Sequence, residues 1–183
     1  LSLEGVQVKK MQIVSKKMKK LLIKTCNLPD EYTINTPNLQ TLGLKETYVK
    51  KLQYGKMDKL KYLSLGLNVI QNGKEKASPV TVLDLQKSKN IAELSVTGCR
   101  INKLDLSSVN KTLRLASITQ SGKYPIKQVR LGKMAALKGL SVSAKCAAID
   151  ASKCSRLNTL ECASYGIFKV KLPKSVQYLT LTS

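Results

Sequence analysis

The feature that most constrains this chain is a repeat that restarts about every 21 residues. Four segments read apolar-x-x-Leu-x-apolar-x-x-(Asn or Cys)-x-apolar. They are Met18-Leu21-Ile23-Cys26-Leu28, Leu60-Leu63-Leu65-Asn68-Ile70, Ile91-Leu94-Val96-Cys99-Ile101, and Leu39-Leu42-Leu44-Val49 with Thr47 in the Asn position. Leu137-Leu140-Val142, Leu157-Leu160-Cys162 and Val176-Leu179-Leu181 keep the first half, and Leu113-Leu115 is a looser member. Each unit also has a second half, as in Val49-Leu52-Tyr54, Val80-Leu83-Leu85 and Ile101-Leu104-Leu106. The second-half anchors Val8, Leu28, Val49, Val80, Ile101, Ile126, Cys146 and Ile167 fall 20, 21, 31, 21, 25, 20 and 21 residues apart.

Apolar residues at i and i+2 alternate faces as in a strand, and units this short leave no room for a strand-helix-strand crossover. Each unit is therefore a compact coil. One coil cannot bury its apolar side alone, but stacked coils build a continuous core in which each strand pairs in parallel with its neighbours. The spacing predicts a single domain over residues 1–183 with little helix. No apolar run reaches the roughly 18 to 20 residues that span a bilayer as a helix.

The motif L-x-x-L-x-L-x-x-N/C-x-L resembles the leucine-rich repeat family, and the match covers nearly the whole chain. The period fits its short bacterial class, and LNTLECASYGIFKVKL from Leu157 is similar to internalin-type repeats with Cys162 in the strand. The resemblance implies a leucine-rich-repeat solenoid, a curved right-handed coil of about eight repeats with a parallel sheet on its concave side. In such repeats the Asn-type side chain points inward to bond backbone groups of the next turn. Cys26, Thr47, Asn68 and Cys99 hold that position, while Ile118, Lys145 and Tyr165 stand near it in later units.

Composition narrows the chemistry. With no histidine, the chain lacks the usual general base and the commonest metal ligand, so no cofactor, metal or enzymatic role is expected. The five cysteines are odd in number, scattered and without a C-x-x-C, which points to buried core thiols rather than disulfides or zinc. Leu1 to Gln7 lack the n-region and h-region of a signal peptide. The pattern stops at Leu181-Thr182-Ser183 with no polar cap, which reads as a segment of a longer protein.

With the repeat positions inward, the alternate residues face the concave surface. The candidate ligand-binding residues there are Tyr62, Ser64, Glu93, Ser95, Thr97, Arg114, Ser141, Thr159, Glu161 and Tyr178. Thr112, Arg114 and Ala116 are taken as one concave row. Two units are lengthened, by Ile70–Pro79 and Thr119–Pro125, and the second loop adds Lys123 and Tyr124 to the candidates. The alternative is an ordinary solvated sheet face.

The net charge is +21, from 32 Lys+Arg against 11 Asp+Glu, and the lysines fall in the second halves of the units. Lys9, Lys10, Lys16, Lys17, Lys50 and Lys51 head this group as a candidate surface for anionic polymers, on the convex and lateral sides. With so few arginines and no aromatics interleaved, sequence-specific nucleic-acid binding is disfavoured.

Two functions follow as expectations. The resemblance implies a non-catalytic bacterial module, extracellular or at the cell surface, that holds a protein or glycan by its concave face and edge loops. The charge implies salt-sensitive attachment to an anionic polymer, such as a cell-wall polymer, glycosaminoglycan or nucleic acid, through a lysine-rich convex surface. Oligomeric state is left open.

Overall fold

The structure, a computed structural model, describes residues 1–6, 10–121, 123–163 and 169–182. It is a β-solenoid of about eight coils built on one nine-stranded sheet. The strands, in spatial order, are Ser2–Glu4, Lys20–Lys24, Thr41–Lys45, Tyr62–Gly66, Glu93–Thr97, Leu115–Thr119, Gly139–Ser143, Thr159–Ala163 and Tyr178–Thr182. Every pairing in it is parallel and in register, so Ser64, Ser95, Ser117 and Ser141 stand on successive strands in one row. Among the described residues the only helix is a single 3-10 turn at Ser107–Val109.

The core is the inside of the coil. Leu21, Leu42, Leu63, Leu94, Ala116, Leu140 and Leu160 form one buried row, and Ile23, Leu44, Leu65, Val96, Ile118, Val142 and Cys162 a second. Leu39, Leu60, Ile91, Leu113, Leu137 and Leu157, fully buried, make a third where each coil turns into its strand. The opposite wall is supplied by Met11, Ile13, Tyr32, Ile34, Leu83, Leu85, Leu104, Leu106, Leu131 and Ile149. Each fully buried aliphatic side chain is worth about 1.5–3 kcal/mol, and such rows are what make a short coil stable.

One row differs from the sequence reading. The strand after Leu113 is Leu115–Thr119, with Ala116 and Ile118 inward and Leu115, Ser117 and Thr119 outward. Thr112 and Arg114 precede it, so the row expected from Thr112, Arg114 and Ala116 is corrected. Ala116 is too small to mark a core position in an apolar pattern, and Leu115 took its place. An odd-numbered slip of register exchanges the two faces of a strand.

The inward polar ladder also changes hands along the chain. Thr47 Oγ1 donates to the Lys45 carbonyl at 2.9 Å, and Cys26 Sγ lies 3.0 Å from the Lys24 carbonyl. Asn68 does not continue this series. It starts an antiparallel hairpin, Asn68–Gln71 with Lys74–Ala77, and its Nδ2 donates to Glu75 Oε1 at 3.0 Å. The long first insertion is thus a second small sheet, closed by Asn72 and Gly73 at φ 52° and 69°, the pair of positive angles that a two-residue hairpin turn demands.

Behind the hairpin, buried Ser78 does the inward work. Its Oγ accepts from the Val49 N–H at 3.0 Å, and its own N–H lies between the carbonyls of Leu67 and Gly98. In the shorter insertion the same work falls to Gln120, and in the next coil to Cys146, whose Sγ lies 3.4 Å from the Ala148 carbonyl. Ile118 is in the strand and Lys145 is exposed, so these units depart from the Asn-type position, and Tyr165 lies outside the described residues.

Candidate ligand-binding face

The outward face of the main sheet is built from residues that alternate with the core rows. Across its middle run Ser64, Ser95, Ser117 and Ser141, with Thr97, Thr119 and Ser143 beside them toward the strand ends. Parallel strands lie about 4.8 Å apart, so this is a regular hydroxyl floor with no long side chain rising from it. Two apolar side chains border it, Tyr62 at 41% exposure and Leu115 at 48%. Leu115 has room to lie over Gly139, where a Cβ would come within 2.9 Å of its Cδ2.

These residues enclose an open trough of about 1010 Å³ spanning five strands. It brings together seven of the residues expected from the sequence: Tyr62, Ser64, Glu93, Ser95, Ser141, Thr159 and Glu161. Sequence reasoning missed Leu115 and Ser117, because of the register slip, and Lys138, Arg156 and Asn158, which lie just before their strands. Two carboxylates, Glu93 and Glu161, and two cations, Lys138 and Arg156, line the trough, so its charges are balanced in number.

The other candidates stand elsewhere. Thr97 is on the same sheet face but outside the trough, Arg114 is exposed ahead of its strand, and Tyr178 is 65% exposed on the last strand. Tyr124 belongs to the shorter insertion, where the Arg100 guanidinium lies 4.7 Å from its ring centre and Lys123 Nζ 5.8 Å. That loop is anchored by Gln120, only 3% exposed. Its Oε1 accepts from the Ile101 N–H at 2.8 Å, its Nε2 donates to the Ile101 carbonyl at 2.7 Å and to the Tyr124 carbonyl.

On the opposite wall, Lys50 and Lys51 border a groove of about 960 Å³. It opens where residues 50–56 form no strand and two tyrosines span the gap. Tyr32 Oη donates to the Lys51 carbonyl at 2.8 Å and accepts from the Gln53 N–H at 2.7 Å, and Tyr54 Oη donates to the Asp84 carbonyl at 2.8 Å. Burial pushes both phenols up to about 12. Lys50 is paired with Asp30 at 2.8 Å, a hydrogen bond that raises the lysine's pKa. Lys10 is exposed, and Lys9 lies outside the described residues.

A further set of basic residues lies along one edge. The turns that lead into the main-sheet strands carry Lys16, Lys17 and Lys19, then none, then five successive pairs: Lys59 and Lys61, Lys87 and Lys89, Lys111 and Arg114, Lys133 and Lys138, Lys153 and Arg156. Lys174 closes the series. All are exposed, and Asp58 is the one acid in these turns.

All five cysteines are buried, and burial pushes Cys99 and Cys162 up to about 11, so neither offers a thiolate near neutral pH. Among the described residues no group of three or more His, Cys, Asp or Glu side chains comes together, and no helix is long and apolar enough to cross a membrane. Compared with known proteins, the chain matches no family model, no curated protein and no solved structure.

Proposed function

We propose that the chain is a non-catalytic recognition module of the leucine-rich-repeat type, and that it holds a protein or glycan in the trough of its main sheet. The observation that carries this reading is the trough itself: a hydroxyl floor bordered by Tyr62 and Leu115, with Glu93 and Glu161 balanced by Lys138 and Arg156. Ligand sites combine apolar contact area with a few placed polar groups, and this face has both on rigid strands. By the resemblance to internalin-type repeats, its setting is the surface of a bacterium or the medium outside it. The shorter-insertion loop with Tyr124 and Lys123 stands beyond the trough and would widen the contact for a large ligand.

Support for a binding rather than an enzymatic role comes from the side chains available. The chain has no histidine, and burial holds the Cys99 and Cys162 thiols in the neutral form. The experiment is a glycan and matrix-protein array read at physiological salt, followed by Tyr62→Ala and Ser117→Tyr. Both positions are exposed on strands, so the fold should tolerate the changes. A selective ligand lost in both variants supports the reading. Selective binding unchanged in both would refute it.

A further inference from the structure

The basic residues ahead of the main-sheet strands stack into one row, and their turns hold a single acid, Asp58. The described ion pairs are Lys45–Glu46, Lys50–Asp30, Lys56–Asp58, Arg130–Asp105 and Lys171–Asp150. None uses a cation of those turns, and Asp58 itself is turned to Lys56. One lateral edge of the solenoid is therefore left with a row of exposed positive charge that no described ion pair compensates.

That row is held on a rigid backbone. Consecutive turns are tied by N–H to carbonyl bonds, among them Lys61 to Gln40 at 2.9 Å, Arg114 to Ala92 at 2.7 Å and Lys138 to Arg114 at 2.8 Å. Successive turns therefore advance by the strand spacing of about 4.8 Å, and like charges at that step lie well inside a Debye length of about 10 Å. Such a row repels itself, a cost that a bound anion removes. In the first turns the row also has polar depth. Lys16, Lys17, Lys19 and Lys59 surround Asn38 and Gln40 in a pocket of about 400 Å³, and Asn38 Nδ2 is fixed on the Lys16 carbonyl at 2.8 Å.

We propose that this edge is a docking rail for a linear acidic polysaccharide, lying across the coils with about one sugar per coil. Three observations select that ligand class. The row recurs at the strand step over successive coils, as a linear polymer requires. An extended pyranose chain advances by about the same step per sugar, so a uronate or sulfate on each sugar meets a cation on nearly each coil. Lysine point charges dominate the edge, and no tyrosine lies in its turns to stack an unpaired base, which disfavours single-stranded nucleic acid. The rail meets the trough only at Lys138 and Arg156, and it does not rest on the ligand proposed for the trough.

The test uses the whole chain with three probes of equal length: a heparin octasaccharide, a galacturonate octamer and an oligothymidylate. Binding is read by calorimetry from low to physiological salt. Lys59→Gln, Lys61→Gln, Lys87→Gln and Lys89→Gln together remove two adjacent pairs, and Lys10→Gln, Lys50→Gln, Lys51→Gln and Lys103→Gln remove the same charge from the outer wall. The edge variant should lose about fivefold in affinity per lysine for the polysaccharides, the outer-wall variant far less, and the edge variant should have the shallower salt dependence. Equal losses in both variants would overturn the rail. Tighter binding of the oligothymidylate than of either polysaccharide would overturn the ligand class.

Discussion

Replacing Gln120 by leucine tests whether one buried amide holds the shorter insertion onto the solenoid. Leucine keeps most of the volume, so the cost comes from lost hydrogen bonds rather than from a cavity. The change strips partners from the N–H and the carbonyl of Ile101, a residue with no exposed surface. An unsatisfied buried group costs about 1–3 kcal/mol, so two should cost about 2–6 kcal/mol, while the Tyr124 carbonyl in its half-exposed loop can turn to water. The packing of one added apolar side chain offsets part of this, which leaves a loss of about 3–4 kcal/mol.

The assay is urea unfolding with hydrogen exchange at the Ile101 amide. For a slope of about 2 kcal/mol per molar urea, the midpoint falls by about 1.5–2 M, and the Ile101 amide exchanges far faster than in the parent. Thr119→Val, outward on the adjoining strand, serves as the control and shifts the midpoint little. A Gln120→Leu loss below about 1 kcal/mol at unchanged slope would refute the claim that this amide closes the coil.

Four further outcomes follow from the same geometry. Tyr32→Phe leaves the Lys51 carbonyl and the Gln53 N–H without their partner and should cost about 1–3 kcal/mol in the same urea assay. In a titration of tyrosinate absorbance, Tyr32 and Tyr54 should ionise as a separate late step near pH 12, absent from the double phenylalanine variant. Because folding raises Cys99 from 9.0 to about 11 and the two phenols from 10.0 to about 12, the unfolded chain loses these protons first. Their stabilising contribution is complete below pH 9 and is lost as pH rises toward 12, which unfolding midpoints across that range would show. Gly98, at φ 70°, has no space for a Cβ, which would lie 2.4 Å from Asn68 Cβ. Gly98→Ala should therefore lower the thermal midpoint, and Asn68→Gly in the same chain should recover part of the loss.

The inward rows were legible because burial selects large apolar side chains at fixed intervals, and both lengthened units showed as gaps in that rhythm. Legibility failed where a side chain carried too little hydrophobic signal. Ala116 is a core residue that reads as neutral, so Leu115 reads as inward and Ser117 is passed over, though both line the trough. The Asn72-Gly73 dipeptide was a hairpin signal in plain sight, but a search for one period passes over an element that interrupts it. Gln120 could not be read as the ladder residue of its coil. Nothing in the chain near it shows that its amide reaches back to Ile101 in the preceding coil.

By itself the order of residues determined the period, the stacking of coils and the identity of most core rows, since each is a local pattern repeated and a coil contacts only its neighbours. The tertiary structure alone decided which residues share the candidate surfaces. The trough needs residues from five strands in register, and the edge emerges only when turns separated by some twenty residues are stacked. Charge and hydroxyl groups act through space over a few ångströms, whereas sequence distance between these groups is set by the length of a coil.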